Sequence, residues 1–152
     1  MAMGSVYFED YTPDWKLETL KRTITTWDIL QFVTLTGMNE QLFLNEEYIL
    51  NETPFKKRIA PGALMFSYAE GLVIQTGALH NTGMAFLSSD ISIQRPLEEG
   101  DTIGVTVTLT AKRETSKPDR GLVTTENRIT NQNGQVIMVY HPQRMIKKRN
   151  PG

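Results

Sequence analysis

The sequence predicts an α+β domain in which a long antiparallel sheet wraps around one buried central helix. Two blocks and their order carry that prediction. Residues 102–112 set Ile103, Val105, Val107, Leu109 and Ala111 against Thr102, Gly104, Thr106, Thr108, Thr110 and Lys112, the period of two that gives a strand one core face. Residues 62–77 instead carry Leu64, Met65, Phe66, Tyr68, Ala69, Leu72, Val73 and Ile74, apolar in nearly every direction of a helical wheel, so this helix has to be enclosed. One enclosed helix followed by strands leaves a curled sheet as its cover.

The elements follow in order. Thr25 and Asp28 have the spacing of a capping box, and Ile29, Phe32, Val33 and Thr36 then share one face, which predicts a helix over 26–36. Asn45 with Glu46 and Glu47 starts a second helix, its acids favoured at the positive end of the dipole, and Pro54 stops it after two turns. Pro61 suits the first position of the enclosed helix because its missing N–H costs nothing there. Leu87, Ile91 and Ile93 alternate with Ser88, Asp90, Ser92 and Gln94, and Pro96 with Gly100-Asp101 supplies a turn into the block at 102–112. A strand over 122–130 leads to Asn131-Gln132-Asn133-Gly134, whose Asn-Gly suits a tight hairpin, and then to Val136–Tyr140, continuing toward Ile146. Residues 84–149 thus predict a four-strand antiparallel meander.

Composition narrows the function classes. The 152 residues fit one domain, 1–152, large enough to bury a core without staples. Sixteen basic against seventeen acidic side chains leave no global footprint for nucleic acid. With no cysteine there is no disulfide, no thiolate nucleophile and no Cys-ligated zinc, and with only His80 and His141 no His-rich metal site is expected. The start carries early acids rather than a basic-then-apolar leader, so a cytoplasmic location is expected and the sequon at Asn51-Glu52-Thr53 reads as chance. The longest apolar stretch, 60–74, contains Pro61, Ser67 and Glu70 and falls short of a membrane span. Phosphate loop, dinucleotide fingerprint and nucleophile elbow are all missing, which sets aside kinase, dehydrogenase and serine-hydrolase readings.

Six short segments in order resemble one family. They are Tyr7-Phe8-Glu9-Asp10-Tyr11, the helix into Thr36-Gly37, Asn45-Glu46-Glu47-Tyr48 leading to Thr53-Pro54-Phe55, Ile59-Ala60-Pro61-Gly62, Ile93-Gln94-Arg95-Pro96 with Gly100-Asp101, and Asn131-Gln132-Asn133-Gly134. The chain is similar to the MaoC-like hot-dog proteins, which include (R)-specific enoyl-CoA hydratases and 3-hydroxyacyl-thioester dehydratases. The resemblance implies a hot-dog fold and a substrate carried as a CoA or acyl carrier protein thioester, with no separate cofactor. It also implies a homodimer, or a heterodimer with another hot-dog protein.

The family's hydratase signature runs Gly-Asp-x-Asn-Pro-x-His-x-Asp, and here that stretch keeps its length without its chemistry. Met38 stands at the position of the catalytic aspartate and Phe43 at that of the histidine. Neither thioether nor phenyl moves a proton, so the usual acid/base pair is absent. Met38 and Phe43 then read as a greasy wall for an acyl chain or as plain core. A histidine that often precedes the glycine of the central helix is replaced by Pro61. By the same resemblance Gly62 and Ala63 aim backbone amides at the thioester carbonyl, where free N–H groups and the dipole favour negative charge on oxygen. The alternative for Gly62 is close helix packing.

Other side chains are candidates for chemistry. Glu70 sits in an otherwise apolar helix, so its carboxylate has to face a cavity, find a partner or take a raised pKa. Its distance of nine from Pro61 matches the His-to-Glu spacing of hot-dog thioesterases, although the histidine is missing; a Glu70 turned to solvent or to an interface is the competing reading. Glu40, inside the altered signature, and His80, after the central helix, form a conceivable relocated acid/base pair; for His80, His141 and Asp90 the simpler reading is surface or satisfied polar groups. Lys112-Arg113, Lys117 and Lys147-Lys148-Arg149 suit CoA phosphates at a tunnel mouth or, alternatively, solvated strand ends. Three functions remain: an acyl-thioester-binding subunit without its own hydratase dyad, a thioesterase using Glu70, and a hydratase or dehydratase with relocated acid and base.

Overall fold

Helix α1 (Thr26–Thr36) begins where its capping box predicts, Thr25 Oγ1 accepting from the Asp28 amide and the Asp28 carboxylate accepting from the Thr25 amide, and it ends at Gly37 in the left-handed region. Asp28 is buried, and its carboxylate also accepts from Thr25 Oγ1 (2.9 Å), Arg22 Nη2 (2.8 Å) and the Tyr68 hydroxyl (3.2 Å). Burial alone raises its pKa, but the Thr25 hydrogen bonds and the Arg22 charge outweigh burial and hold it below the ordinary 3.8. A one-turn helix α2 (Gln41–Leu44), which the sequence does not announce, precedes α3 (Glu46–Glu52), whose cap is the expected Asn45 side chain accepting from the Tyr48 amide. The central helix α4 (Gly62–Gln75) starts one residue later than expected: Pro61 is its N-cap, in extended conformation, rather than its first turn residue.

The chain is seen here as a computed structural model describing residues 4–151; residues 1–3 and 152, the ends of the expected 1–152 domain, lie outside the described residues. Among the described residues eight strands form one curved antiparallel sheet: β1 (Lys16–Glu18), β2 (Arg22–Thr23), β3 (Gly83–Ser88), β4 (Ile91–Ile93), β5 (Thr102–Glu114), β6 (Arg120–Thr130), β7 (Val136–Tyr140) and β8 (Gln143–Lys147). β1 and β2 lie one after the other along one edge of β5, β6 pairs its other edge, β6 pairs both β7 and β8, and the outer edge is β4 against β7 with β3 against β8.

The expected meander is therefore corrected. The strand that follows the helix lies beside the last strand of the chain, not beside β5. The stretch 94–101 is a crossover rather than a hairpin, because Leu97 is buried in it and its carbonyl accepts from the Ala60 amide (2.8 Å), which anchors it beneath the start of α4. The edge strand is also broken at Ser89-Asp90, opposite a break at His141-Pro142, where proline has no N–H to give the ladder. The hairpin after β6 has three tip residues with only Gly134 left-handed (φ +73°), so the turn is a wider relative of the two-residue form.

The sheet wraps α4 through Leu64, Met65, Ala69, Leu72 and Val73, which pack with Ile103, Val105, Val107, Ile129, Ile137, Met138 and Ile146 in one core. This is the hot-dog arrangement. Enclosure is one-sided, however: Ala63, Ser67 and Ile74 remain exposed on the opposite face of the helix. No helix among the described residues is long and apolar enough to cross a membrane.

Candidate functional site

The start of α4 leaves its first two amides free. Leu64 and Met65 donate to the Pro61 carbonyl (3.0 and 3.2 Å), whereas no acceptor within the described residues meets the N–H of Gly62 or Ala63. A side chain at position 62 would place its Cβ 2.6 Å from Ile93 Cδ1, so close packing and the free amides both apply to Gly62. The Ile93 side chain is soft and half-exposed, and it covers this end of the helix from the edge strand.

The segment carrying the altered signature lies over α1 and α2. Phe43 is partly buried and packs on the core, which fits the plain-core reading. Met38 does not fit it, being exposed. Glu40 is exposed at the N-cap of α2 and makes no side-chain cap bond. What seats this segment is Arg58, 5% exposed, whose Nε donates to the Phe43 carbonyl (2.7 Å) while Nη1 donates to Glu99 (2.9 Å) and Nη2 reaches Glu46 (3.4 Å). Burial tends to raise the Glu99 carboxyl, but hydrogen bonds from Thr26 and Arg58 prevail and hold it low.

Glu70 resolves its burial by pairing. Arg144 Nη2 donates to both of its oxygens (2.6 and 2.8 Å) and the Tyr140 hydroxyl donates to Oε1 (2.7 Å). Burial and the Glu70 charge push the Tyr140 phenol well above the usual tyrosine range, so it stays a donor. Tyr140, Arg144 and Ile146 share the inward face of the final strand pair, and Tyr140 stacks edge-on against Phe66 (5.2 Å). A carboxylate held in this way is not a free nucleophile or base.

His80 is exposed and lines a groove at the C-terminal end of α4, and none of the cavities described here is lined by both His80 and Glu40. None of these cavities is lined by Gly62, Ala63, Met38 or Phe43 either. An Asp–His couple does exist, His141 Nδ1 lying 2.8 Å from Asp90, with Glu126 3.5 Å from Nε2. His141 alternates with the inward Tyr140, so the couple faces away from α4 and stitches together the two strand breaks, with the His141 amide also donating to Asp90. The basic clusters do not flank the start of α4. Lys147 pairs through its amide with Thr82, Lys148 with Glu114, and Arg149 with Asp10, all at the opposite end of the sheet.

Sequence reasoning missed Arg58, Arg144 and Tyr140. For Arg144 a signal existed, namely period-two inward spacing with Tyr140 and Ile146, but its partner lies 74 positions away. Among the described residues no group of three or more His, Asp or Glu side chains is placed to hold a metal ion.

Residues 9–133 match the family model described as a MaoC like domain. The chain is 33% identical over 117 residues to Protein MaoC of Klebsiella aerogenes, covering 75% of this chain and 33% of that protein. It is 33% identical over 104 residues to the (R)-specific enoyl-CoA hydratase of Rhodospirillum rubrum, covering 68% of this chain and 69% of the hydratase. The match thus spans only a third of the first relative and just over two thirds of the second. The X-ray structure of the monoamine oxidase regulatory protein from Archaeoglobus fulgidus superposes with a TM-score of 0.88 at 31% identity, covering 99% of each chain.

Proposed function

The chain belongs to the family of MaoC-like domains, and we propose that within this hydratase/dehydratase family it is an acyl-thioester-binding member without its own hydratase dyad. The observation that carries the reading is the pairing of two free amides at Gly62 and Ala63 with inert side chains at Met38 and Phe43. The amides offer two donors and the positive end of α4 to a thioester oxygen, which polarises the carbonyl. At the signature positions Met38 and Phe43 supply neither the base that activates water nor the acid that protonates the α-carbon, since thioether and phenyl move no proton. The engagement of Glu70 by Arg144 and Tyr140 weighs against a thioesterase using it, and the separate locations of Glu40 and His80 weigh against a relocated pair.

In this reading the functional unit is a homo-oligomer or a pair with a related subunit. An unpaired outer edge strand is a template for another chain. Here it carries Phe86, Leu87, Ile91 and Ile93, each exposed by 43% or more, beside the equally open Ile74 of α4. In this reading a second protomer placed on that edge covers this apolar surface.

The test is to incubate the protein with a crotonyl-type enoyl-CoA and, separately, a saturated acyl-CoA, following double-bond absorbance and thiol release. The expected result is silence in both assays with a raised melting temperature. At a ligand concentration about one hundred times Kd, mass action gives about 2.7 kcal/mol, or roughly 5–10 °C for a domain of this size. Loss of the double bond rejects the reading in favour of a working hydratase. Thiol release abolished by Glu70→Gln rejects it in favour of a thioesterase, and the lack of any shift with either thioester removes the binding role.

A further inference from the structure

The inward row of β6 is apolar at Val123 and Ile129, both in the core, but polar at the two positions between them, Thr125 and Asn127. Both polar residues are buried. Thr125 Oγ1 donates to Asn127 Oδ1 (2.6 Å), which leaves Nδ2 of a residue only 1% exposed without an acceptor. Tyr140, the cross-strand neighbour of Asn127, turns its hydroxyl proton to Glu70. A buried donor with no acceptor forfeits the hydrogen bond it had in water, and an apolar side chain of similar shape fills such a position without that loss. Packing alone therefore does not account for the pair.

A narrow slot of about 20 Å³ lies against Asn127, between the sheet, the last turns of α4 and the segment before β1. Leu17 and Val73 are among its apolar walls, and its polar lining is Tyr11, Thr125, Asn127 and Arg144. The size admits one water, which needs roughly 10–15 Å³, and nothing larger. Charge narrows the choice further. Arg144 is neutralised by Glu70, whose two oxygens it already meets, and no carboxylate is in the lining, so neither an anion nor a cation is favoured there. Apolar cavities of this kind stay dry, whereas a water is held where polar groups converge on it. Here a second group is open besides Nδ2. Tyr11 is 3% exposed, and its hydroxyl has no hydrogen-bond partner among the described residues. Burial pushes that phenol up to about 12, so it keeps its proton and both donates and accepts.

We propose that the slot is a binding site for one internal water molecule, which accepts from Asn127 Nδ2 and pairs with the Tyr11 hydroxyl. Thr125 Oγ1 is its third polar neighbour. The water supplies the acceptor that the buried amide lacks and ties the segment before β1 to the inner face of β6. None of the lining residues is on β3 or β4, so the site stays inside the protomer when the outer edge is covered. It involves neither Gly62 nor Ala63 and does not depend on the thioester reading.

Two magnetic-resonance readings of the full chain test it. In a nitrogen-labelled sample, the side-chain amide protons of Asn127 are expected to show a nuclear Overhauser effect to water, with the sign that long-lived bound water gives. In oxygen-labelled water, relaxation dispersion counts the long-lived waters, and Asn127→Leu is expected to lower that count by about one per chain. Following the water oxygen keeps the Tyr11 and Thr125 hydroxyl protons out of the count. Because Asn127→Leu leaves Thr125 Oγ1 without its acceptor, the double variant Thr125→Val/Asn127→Leu, which removes the polar pair, is measured beside it, with melting to confirm the fold. It is expected to show the same loss of one water. Asn127 amide protons without any contact to water in the wild type overturn the proposal, and so does a water count unchanged in the folded double variant. The first reading uses no variant and decides the matter even if neither variant folds.

Discussion

Replacing Arg58 by Met tests how the altered signature is held. Arg58 is nearly fully buried and ties together three pieces distant in sequence: the Phe43 carbonyl on α2, Glu99 on the crossover, and Glu46 at the start of α3. The Glu46 contact adds little, since that side chain is 84% exposed and the bond is 3.4 Å. The Phe43 and Glu99 contacts matter. A hydrogen bond from a charged donor contributes roughly 1.5–3 kcal/mol, and Arg58→Met leaves the 23% exposed Glu99 carboxylate without its cation. With the Glu99 share discounted for that exposure, the loss is about 3 kcal/mol, read as a fall in melting temperature of roughly 6–12 °C. The loss is also pH-dependent. Glu99 has a folded pKa below its ordinary 4.5, so the stability it contributes is present above that value and is lost as pH falls through the folded one. The gap between wild type and Arg58→Met in urea titrations should therefore narrow below about pH 4. A cost under about 0.5 kcal/mol at neutral pH, or a gap that does not change with acid, refutes the clamp.

Other perturbations follow from single contacts. Thr25→Ala removes the cap of α1 and should cost about 1 kcal/mol; since Thr25 donors help depress Asp28 below 3.8, thermal melts of the variant should also lose less stability than wild type as pH drops below about 4. Gly121→Ala drives a methyl group into the buried Phe8 ring and should destabilise by about 1–3 kcal/mol in chemical denaturation, with Phe8→Leu in the same chain restoring part of it. Ile91→Asp, at a half-exposed position on the outer edge strand, should leave the melting transition of the protomer near wild type while shifting sedimentation toward the monomer; an unchanged sedimentation profile places the partner contact elsewhere.

What the residues disclose on their own depends on range. Thr25 to Asp28, Asn45 to Tyr48 and the alternation at 102–112 are local signals, and α1, α3 and β5 form where they indicate. β1 offers only Leu17 between two charges, too short for any period to register. The Pro96 to Asp101 stretch has turn chemistry whether it joins neighbouring strands or crosses to a distant one, and only the burial of Leu97 against Ala60 distinguishes the two. The same limit applies at the site. Inert residues at 38 and 43 are visible in the signature, whereas the partners of Glu70 enter from the last strand and those of the Phe43 carbonyl from a buried arginine. The exposed stripe of Ala63, Ser67 and Ile74 is not legible, because a helix apolar all round reads as enclosed on every side, whereas the sheet covers only one face of it.

The most direct measurement follows the backbone amide resonances of Gly62 and Ala63 in a nitrogen-labelled sample titrated with crotonyl-CoA, while the enoyl absorbance of the same solution is recorded. The account predicts that these two resonances shift saturably and that the absorbance stays constant. Resonances unmoved at saturating thioester, or a double bond that disappears, contradict it.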